Sequence, residues 1–369
     1  MRWHTVRVQT FKELNQFRRD KLTVALAFVL PVVGLLMYGF ATRLEAKDIP
    51  ISVLNQDGIS KLSRELVDRI YATVQLIPAP AVAHNILQPL DDARARAVVV
   101  IPPDFSRNIA AGRSAPIQAI VDGSDVNNAR VVSNAIIATV QSFEQATGLL
   151  KGQPPIHAAV RLWYNPGRKE ALYIVPGAMA LLLWVFPAIL STIALAREKE
   201  QGTILQVYAS NLTSTEFMAG KAIAYILVAL GEALCLFVTS VFVFGLRLEA
   251  EPITFLICTI LYLGNSVLFG LWAGTKAHNQ MAAIQIVANI GFLTTMLLSG
   301  FIYPLRNIVY PLSLVAYMVP AMYYVLICRN EFVRGSDWFG LWYAPLFFIA
   351  FNAFMFFVLS RFQMQLKEG

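Results

Sequence analysis

ALYIVPGAMALLLWVFPAILSTIALA, residues 171–196, carries no formal charge from one end to the other. About 20 apolar residues carry a helix across the roughly 30 Å hydrocarbon core of a bilayer, so this stretch predicts a membrane span. Working outward, four more uncharged runs of that kind appear: Leu22 to Thr42, Pro252 to Thr275, Ala277 to Leu305 and Phe339 to Ser360. A sixth, Ala222 to Leu246, is interrupted only by Glu232. Backbone polar groups inside lipid must be satisfied within their own segment or a closed barrel, and unbroken apolar runs of this length suit helices. Composition points the same way: 57% of the 369 residues are hydrophobic and 14% charged, against about 25% charged in a soluble domain. The expectation is a polytopic α-helical membrane protein with six transmembrane helices.

The flanks set the topology. Arg2, Arg7, Lys12, Arg18, Arg19 and Lys21 outnumber Glu13 and Asp20 ahead of the first span, and basic flanks stay on the cytoplasmic side. Residues 1–21 also place Val8, Phe11, Leu14 and Phe17 opposite Lys12, Arg18 and Arg19, which predicts a helix lying in the interface. Residues 22–42 form the first span. Residues 43–170 differ in kind, with mixed charges and short apolar runs bounded by Pro and Gly. Ile49 to Leu54, Ala97 to Ile101 and Ala115 to Val121 read as strands, and Ser60 to Tyr71 and Asn128 to Leu150 as helices. With the N-terminus inside, that makes a small α+β or α/β extracytoplasmic domain.

Residues 171–369 hold spans two to six, with a cytoplasmic loop at 196–221. Asn307 to Cys328 is uncharged but contains Pro311, Pro320 and several tyrosines. Proline breaks a span and Tyr prefers the headgroup region, so an extracytoplasmic re-entrant hairpin at about 306–330 is expected. Both termini are then cytoplasmic.

Several chemistries are not encoded. No G-x-x-x-x-G-K-[ST] loop and no G-x-S-x-G elbow occurs, so neither ATP hydrolysis nor serine nucleophilic catalysis is indicated. Cys235, Cys258 and Cys328, and His4, His84, His157 and His278, are dispersed without metal-ligand spacing, and no metal site or cofactor bound by this chain is expected. The net charge of +7 follows from residues scattered or placed beside apolar runs, which speaks for membrane topology and against nucleic acid.

The inner loop AREKEQGTILQVYASNLTSTEFMAGK, residues 196–221, begins charged and continues amphipathic. Arg197, Glu198, Lys199 and Glu200 lead through Gly202 and Thr203 into an apolar face of Ile204, Leu205 and Val207. Such a helix fits a groove on a cytoplasmic partner, or serves as a solvated connector. AREKEQGT, a Thr-Ser-Thr-Glu turn and MAGK entering the next span resemble the permease subunits of type-two ABC exporters. The N-terminal FKEL, the LSGFIYPL that ends the fifth span and a Pro-containing hairpin are similar to that superfamily, in its order and over nearly the whole chain. The domain with VVVIPPDFSRNIAAG, IVDGSD and WYNP resembles the multidrug-type subgroup.

The resemblance implies a coupling helix seated in ABC ATP-binding subunits, with ATP and Mg bound on that partner. It also implies a second permease chain, identical or related, and a bacterial inner membrane location. Coupling maps onto Arg197, Glu198, Glu200, Gly202, Thr203, Leu205 and Val207. The outer domain can dock a periplasmic adaptor protein, gate the exit or receive substrate, and a drug-like or amphiphilic substrate fits the residues of the path. A membrane-tethered receptor or scaffold is the alternative function.

Polar and aromatic residues in the spans are the path candidates. Glu232 sits near the middle of the third span, where burying a charge costs about 2.5–3.5 kcal/mol. It reads either as a substrate-facing or proton-sensitive carboxylate or as an interhelical hydrogen bond. Gln285 and Asn289 share a face of the fifth span, joined by Thr294 or Thr295, and suit a seam between protomers or interhelical glue. Trp184 and Phe186, between Pro176 and Pro187, would face the same seam in the superfamily's arrangement.

Overall fold

In the computed structural model, the residues described are 2–41, 49–58, 60–73, 76–80, 86, 88–92, 94–122, 126–148, 171–203, 212–302, 305, 308–335 and 340–361. The chain divides into two compact units, Arg43–Arg161 and the remainder.

The larger unit is helical. Six helices are long and apolar enough to cross a membrane: Lys21–Phe40, Ala171–Glu200, Ser214–Phe244, Pro252–Lys276, Gln280–Leu298 and Tyr343–Ser360, numbered here as spans 1 to 6. The helix Trp3–Arg19 precedes them and buries Val6, Gln9, Thr10 and Glu13. Span 3 starts before the uncharged run because Thr213 caps it. The Thr213 hydroxyl accepts from the backbone N–H of Glu216, and the Glu216 carboxylate accepts from the backbone of Thr213, a reciprocal box that satisfies two otherwise orphaned donors. After span 5, the chain forms two short helices, Leu312–Ala316 and Pro320–Arg329, with Pro at the first turn of the second. Neither is long enough to cross a bilayer.

Span 2 is the axis of this unit. Within its most apolar window 78% of residues are buried, against 67% for span 4 and 17–33% for the others. A helix apolar all round must be enclosed by protein or lipid, and here the neighbouring helices enclose it. Spans 2 and 4 approach so closely that a Cβ on Gly270 would lie 2.2 Å from the carbonyl oxygen of Ala188, the small-residue contact by which spans pack without a hydrophobic drive. Polar side chains of span 4 bridge to the span 2 backbone. Ser266 donates to the Trp184 carbonyl at 2.5 Å and Tyr262 to the Ala180 carbonyl at 2.7 Å. Span 5 is not a regular α-helix, because Val287–Phe292 winds as a π-helix, a form that recurs at functional sites.

The smaller unit holds a four-stranded sheet in the order β2-β1-β3-β4, where β1 is Ile49–Asn55, β2 Leu76–Ala79, β3 Ala97–Ile101 and β4 Gln118–Val121. β1 pairs in parallel with β2 and β3, and β4 runs antiparallel to β3. β3 is buried along its whole length, as expected for an apolar AVVVI strand at the centre of a covered sheet. Helices Lys61–Tyr71 and Val126–Ala146 contribute Leu66, Ile70, Val132, Ile136 and Phe143 to one core with the strands. β2 contains Pro78, tolerated because among the described residues β2 lies at the sheet edge and pairs with β1 alone.

Candidate functional site

At one end of the bundle the quoted motifs meet. Glu13 of FKEL, Glu198 of AREKEQGT and Lys221 of MAGK come together in one buried charge cluster, joined from its half-exposed edge by Lys12. The Lys221 ammonium lies 2.8 Å from Glu13 Oε1 and 3.0 Å from Glu198 Oε2. The second contact is off the hydrogen-bond direction and acts as an ion pair only. Lys12 donates to Glu198 Oε1 at 2.9 Å, and Gln9 donates to Glu13 at 2.8 Å. The Lys221 side chain is fully buried, and those of Glu13 and Glu198 are 2% and 5% exposed. Lys221 between two carboxylates, with the half-exposed Lys12 as a second cation, compensates a desolvation that the buried charges could not bear alone. Gly220 makes the approach possible, since a Cβ there would lie 2.6 Å from the Gln9 side chain. The Thr10 hydroxyl is 3.2 Å from the Gly220 carbonyl oxygen. Arg2 closes the outer edge, donating its backbone N–H to Glu216 at 2.6 Å.

Four consecutive residues at the end of span 2 each engage a different part of the bundle. Arg197 pairs with Asp20 at 2.9 Å, where the chain enters span 1. Asp20 also accepts from the hydroxyl and backbone of Thr23. The Thr23 hydroxyl and the Arg197 guanidinium hold the Asp20 carboxyl down to about 2. Glu198 joins the N-terminal helix and span 3 through the cluster. The Lys199 ammonium donates to the carbonyls of Gly274, Thr275 and Ala277 at 3.2, 3.0 and 2.6 Å, capping the C-terminus of span 4 where carbonyls lack helical partners and the dipole favours a cation. Glu200 accepts from the Gln280 side chain at 2.7 Å at the start of span 5. The helix then ends at Gly202, whose φ of +69° favours glycine. The Thr203 hydroxyl donates back to the Glu198 carbonyl at 3.3 Å.

Of the coupling candidates, Arg197, Glu198, Glu200, Gly202 and Thr203 therefore gather at this junction. Glu198 faces inward, while Leu205 and Val207 lie outside the described residues. The path candidates separate into two groups. Gln285 and Asn289 are exposed on one face of span 5. Trp184 is 3% exposed, stacked on Phe269 and Tyr262 at 5.4 and 5.7 Å, with its indole nitrogen close to Gly291 of span 5. Phe186 is partly buried against the same core. Glu232 and Thr295 are fully buried, and among the described residues neither the Glu232 carboxylate, the Thr295 hydroxyl nor the Trp184 indole nitrogen has a hydrogen-bond partner. Thr294 instead donates to the Ile290 carbonyl within its own helix. No cluster of His, Cys, Asp or Glu suited to a metal occurs among the described residues. Sequence reasoning missed Glu13, Asp20 and Lys221, although the first and last stood inside motifs already marked.

The family described as ABC-2 family transporter protein matches residues 21–362. The chain is 29% identical to the probable multidrug ABC transporter permease YbhS of Escherichia coli (strain K12), covering 97% of this chain and 96% of that one. It is 27% identical to the probable multidrug ABC transporter permease YbhR of the same organism, over 90% and 91% of the two chains. To the inner membrane transport permease YhhJ, also from that strain, it is 26% identical over 95% of each.

Proposed function

The chain belongs to the ABC-2 family of transporter proteins, and from that premise we propose that it is the permease subunit of an ATP-driven exporter whose ATP-binding subunit is a separate chain. The observation that carries the coupling role is the quartet Arg197, Glu198, Lys199 and Glu200, whose side chains reach spans 1, 3, 4 and 5. Residues 204–211 follow directly. A displacement of that segment by the ATP-binding subunit reaches four spans and the N-terminal helix through one helix end. Two permease chains pair so that the exposed Gln285 and Asn289 face of span 5 meets its counterpart. The substrate is an amphiphilic, drug-like molecule, in keeping with the multidrug names of two relatives. The sheet-bearing unit lies on the extracytoplasmic side of an inner membrane, with both termini cytoplasmic.

The test is affinity purification of the tagged chain from its native membrane in mild detergent, comparing wild type with Leu205→Asp/Val207→Asp. Glu198 is left intact, because a lysine there would be buried against Lys12 and Lys221. An ATP-binding subunit that accompanies the wild type and is lost from the variant is the expected result. Wild-type chain that carries no ATP-binding subunit would overturn the exporter reading in favour of a tethered receptor.

A further inference from the structure

At the end of the bundle opposite the charge cluster, a cavity of about 570 Å³ opens between the start of span 2, the end of span 3 and the π-helical turn Asn330–Arg334. Its construction is local and specific. Gly245, at φ +66°, ends span 3 in a left-handed cap and turns the chain through Arg247 to Glu249. The backbone N–H of Glu249 donates to the Glu331 carbonyl at 2.8 Å. Gly335, at φ +59°, passes so near that a Cβ would sit 2.9 Å from the Glu249 carbonyl oxygen. These contacts fasten two loops into a rim that carries Arg247, Arg334 and Glu249, over an apolar wall of Leu172, Phe244 and Phe332.

Three features define what fits. Among the described residues neither Arg247 nor Arg334 forms an ion pair, so two guanidinium groups on one cavity are left to recognise a phosphate, which they match in planar, bidentate geometry. Glu249 adds one carboxylate to the same rim, which suits a ligand carrying an amine beside its phosphate. The apolar wall continues into the lipid-facing surface: Phe244 packs on Phe40 with ring centroids 4.9 Å apart, and Phe40 and Phe242 are 62% and 82% exposed. A site at the ends of spans, where hydrocarbon gives way to headgroups, suits a ligand whose tail remains in the bilayer.

We propose that this cavity binds the zwitterionic headgroup of a phosphoethanolamine lipid, its phosphate held by Arg247 and Arg334 and its ammonium by Glu249, with the acyl chains along Phe244 and Phe40. The site stands on the span ends alone and does not depend on the transport reading.

The test is native mass spectrometry of the purified full chain after delipidation, titrated with phosphatidylethanolamine or phosphatidylglycerol. Arg247→Gln/Arg334→Gln is compared with wild type and with Arg107→Gln/Arg113→Gln, a charge-matched control in the sheet-bearing unit. Wild type and control bind one phosphatidylethanolamine, and the site variant loses at least about tenfold in affinity. Arg334→Lys, which keeps the charge and the fold but not the fork, falls between them. Glu249→Gln erases the preference for phosphatidylethanolamine while leaving phosphatidylglycerol binding intact. Equal binding by wild type and the site variant overturns the site. Displacement of the lipid by an equal concentration of free phosphoethanolamine overturns the lipid assignment in favour of a soluble phosphate ester.

Discussion

The buried charges at the junction and the buried carboxylate of span 3 obey opposite rules. In the cluster of Lys12, Glu13, Glu198 and Lys221, every charge has an opposite charge within 2.8 to 3.0 Å. Glu232 is as buried as Glu13, Glu198 and Lys221 and has no hydrogen-bond partner among the described residues. A network in which every charge is paired rigidifies and specifies one arrangement. An unsatisfied polar group stores desolvation cost that another arrangement of the helices, or a ligand, can relieve. The junction is thus held in one arrangement by its ion pairs, whereas the Glu232 carboxylate is held by none.

That contrast is open to direct attack. The largest effect is expected from Lys221→Ala, which leaves two carboxylates facing one cation and lowers stability by about 3–5 kcal/mol, read as the unfolding midpoint in detergent. Glu232→Leu changes the sign: removal of an unpaired buried carboxyl raises stability by about 1–3 kcal/mol in the same assay. A drop comparable to that of Lys221→Ala would erase the distinction between the two sites. Lys199→Met uncaps the last carbonyls of span 4 and costs about 1–3 kcal/mol, seen most directly as faster amide exchange at Gly274 to Ala277. The smallest effect is on the acid side. The Asp20 carboxyl is held at about 2 against an ordinary 3.8, so its pair with Arg197 contributes fully above about pH 4 and is lost as pH falls towards 2. Asp20→Asn should lower stability at pH 7 and flatten that limb of the profile, converging with wild type as pH falls towards 2.

The spans were legible because lipid imposes a length and a composition, and each uncharged run contains or overlaps one observed helix. Span 3 extends past its run since Thr213 and Glu216 cap a turn that carries charge. β3 was legible from AVVVI alone, whereas β2 was hidden by Pro78 and became a strand only through pairing with β1. At the junction, the charges of AREKE were visible but their destinations were not. A lysine such as Lys221 reads as a topology signal until Glu13 and Glu198, far away in sequence, are seen to enclose it. The direction of Trp184 was unreadable for another reason: a helix apolar on every side has no periodicity to mark its inner face. The exposed face of Gln285 and Asn289 was readable, because their spacing by four on an apolar span stands out.

The central claim is that the end of span 2 carries motion from the ATP-binding subunit to the other spans. The most direct measurement is transport per ATP hydrolysed in proteoliposomes holding the permease and its ATP-binding subunit, comparing wild type with Lys199→Met/Glu200→Ala. These changes cut the ties to spans 4 and 5 and leave residues 204–211 intact. Hydrolysis that persists while transport falls at least about tenfold, equivalent to about 1.4 kcal/mol of lost coupling, is the predicted result. Unchanged transport per ATP would contradict it.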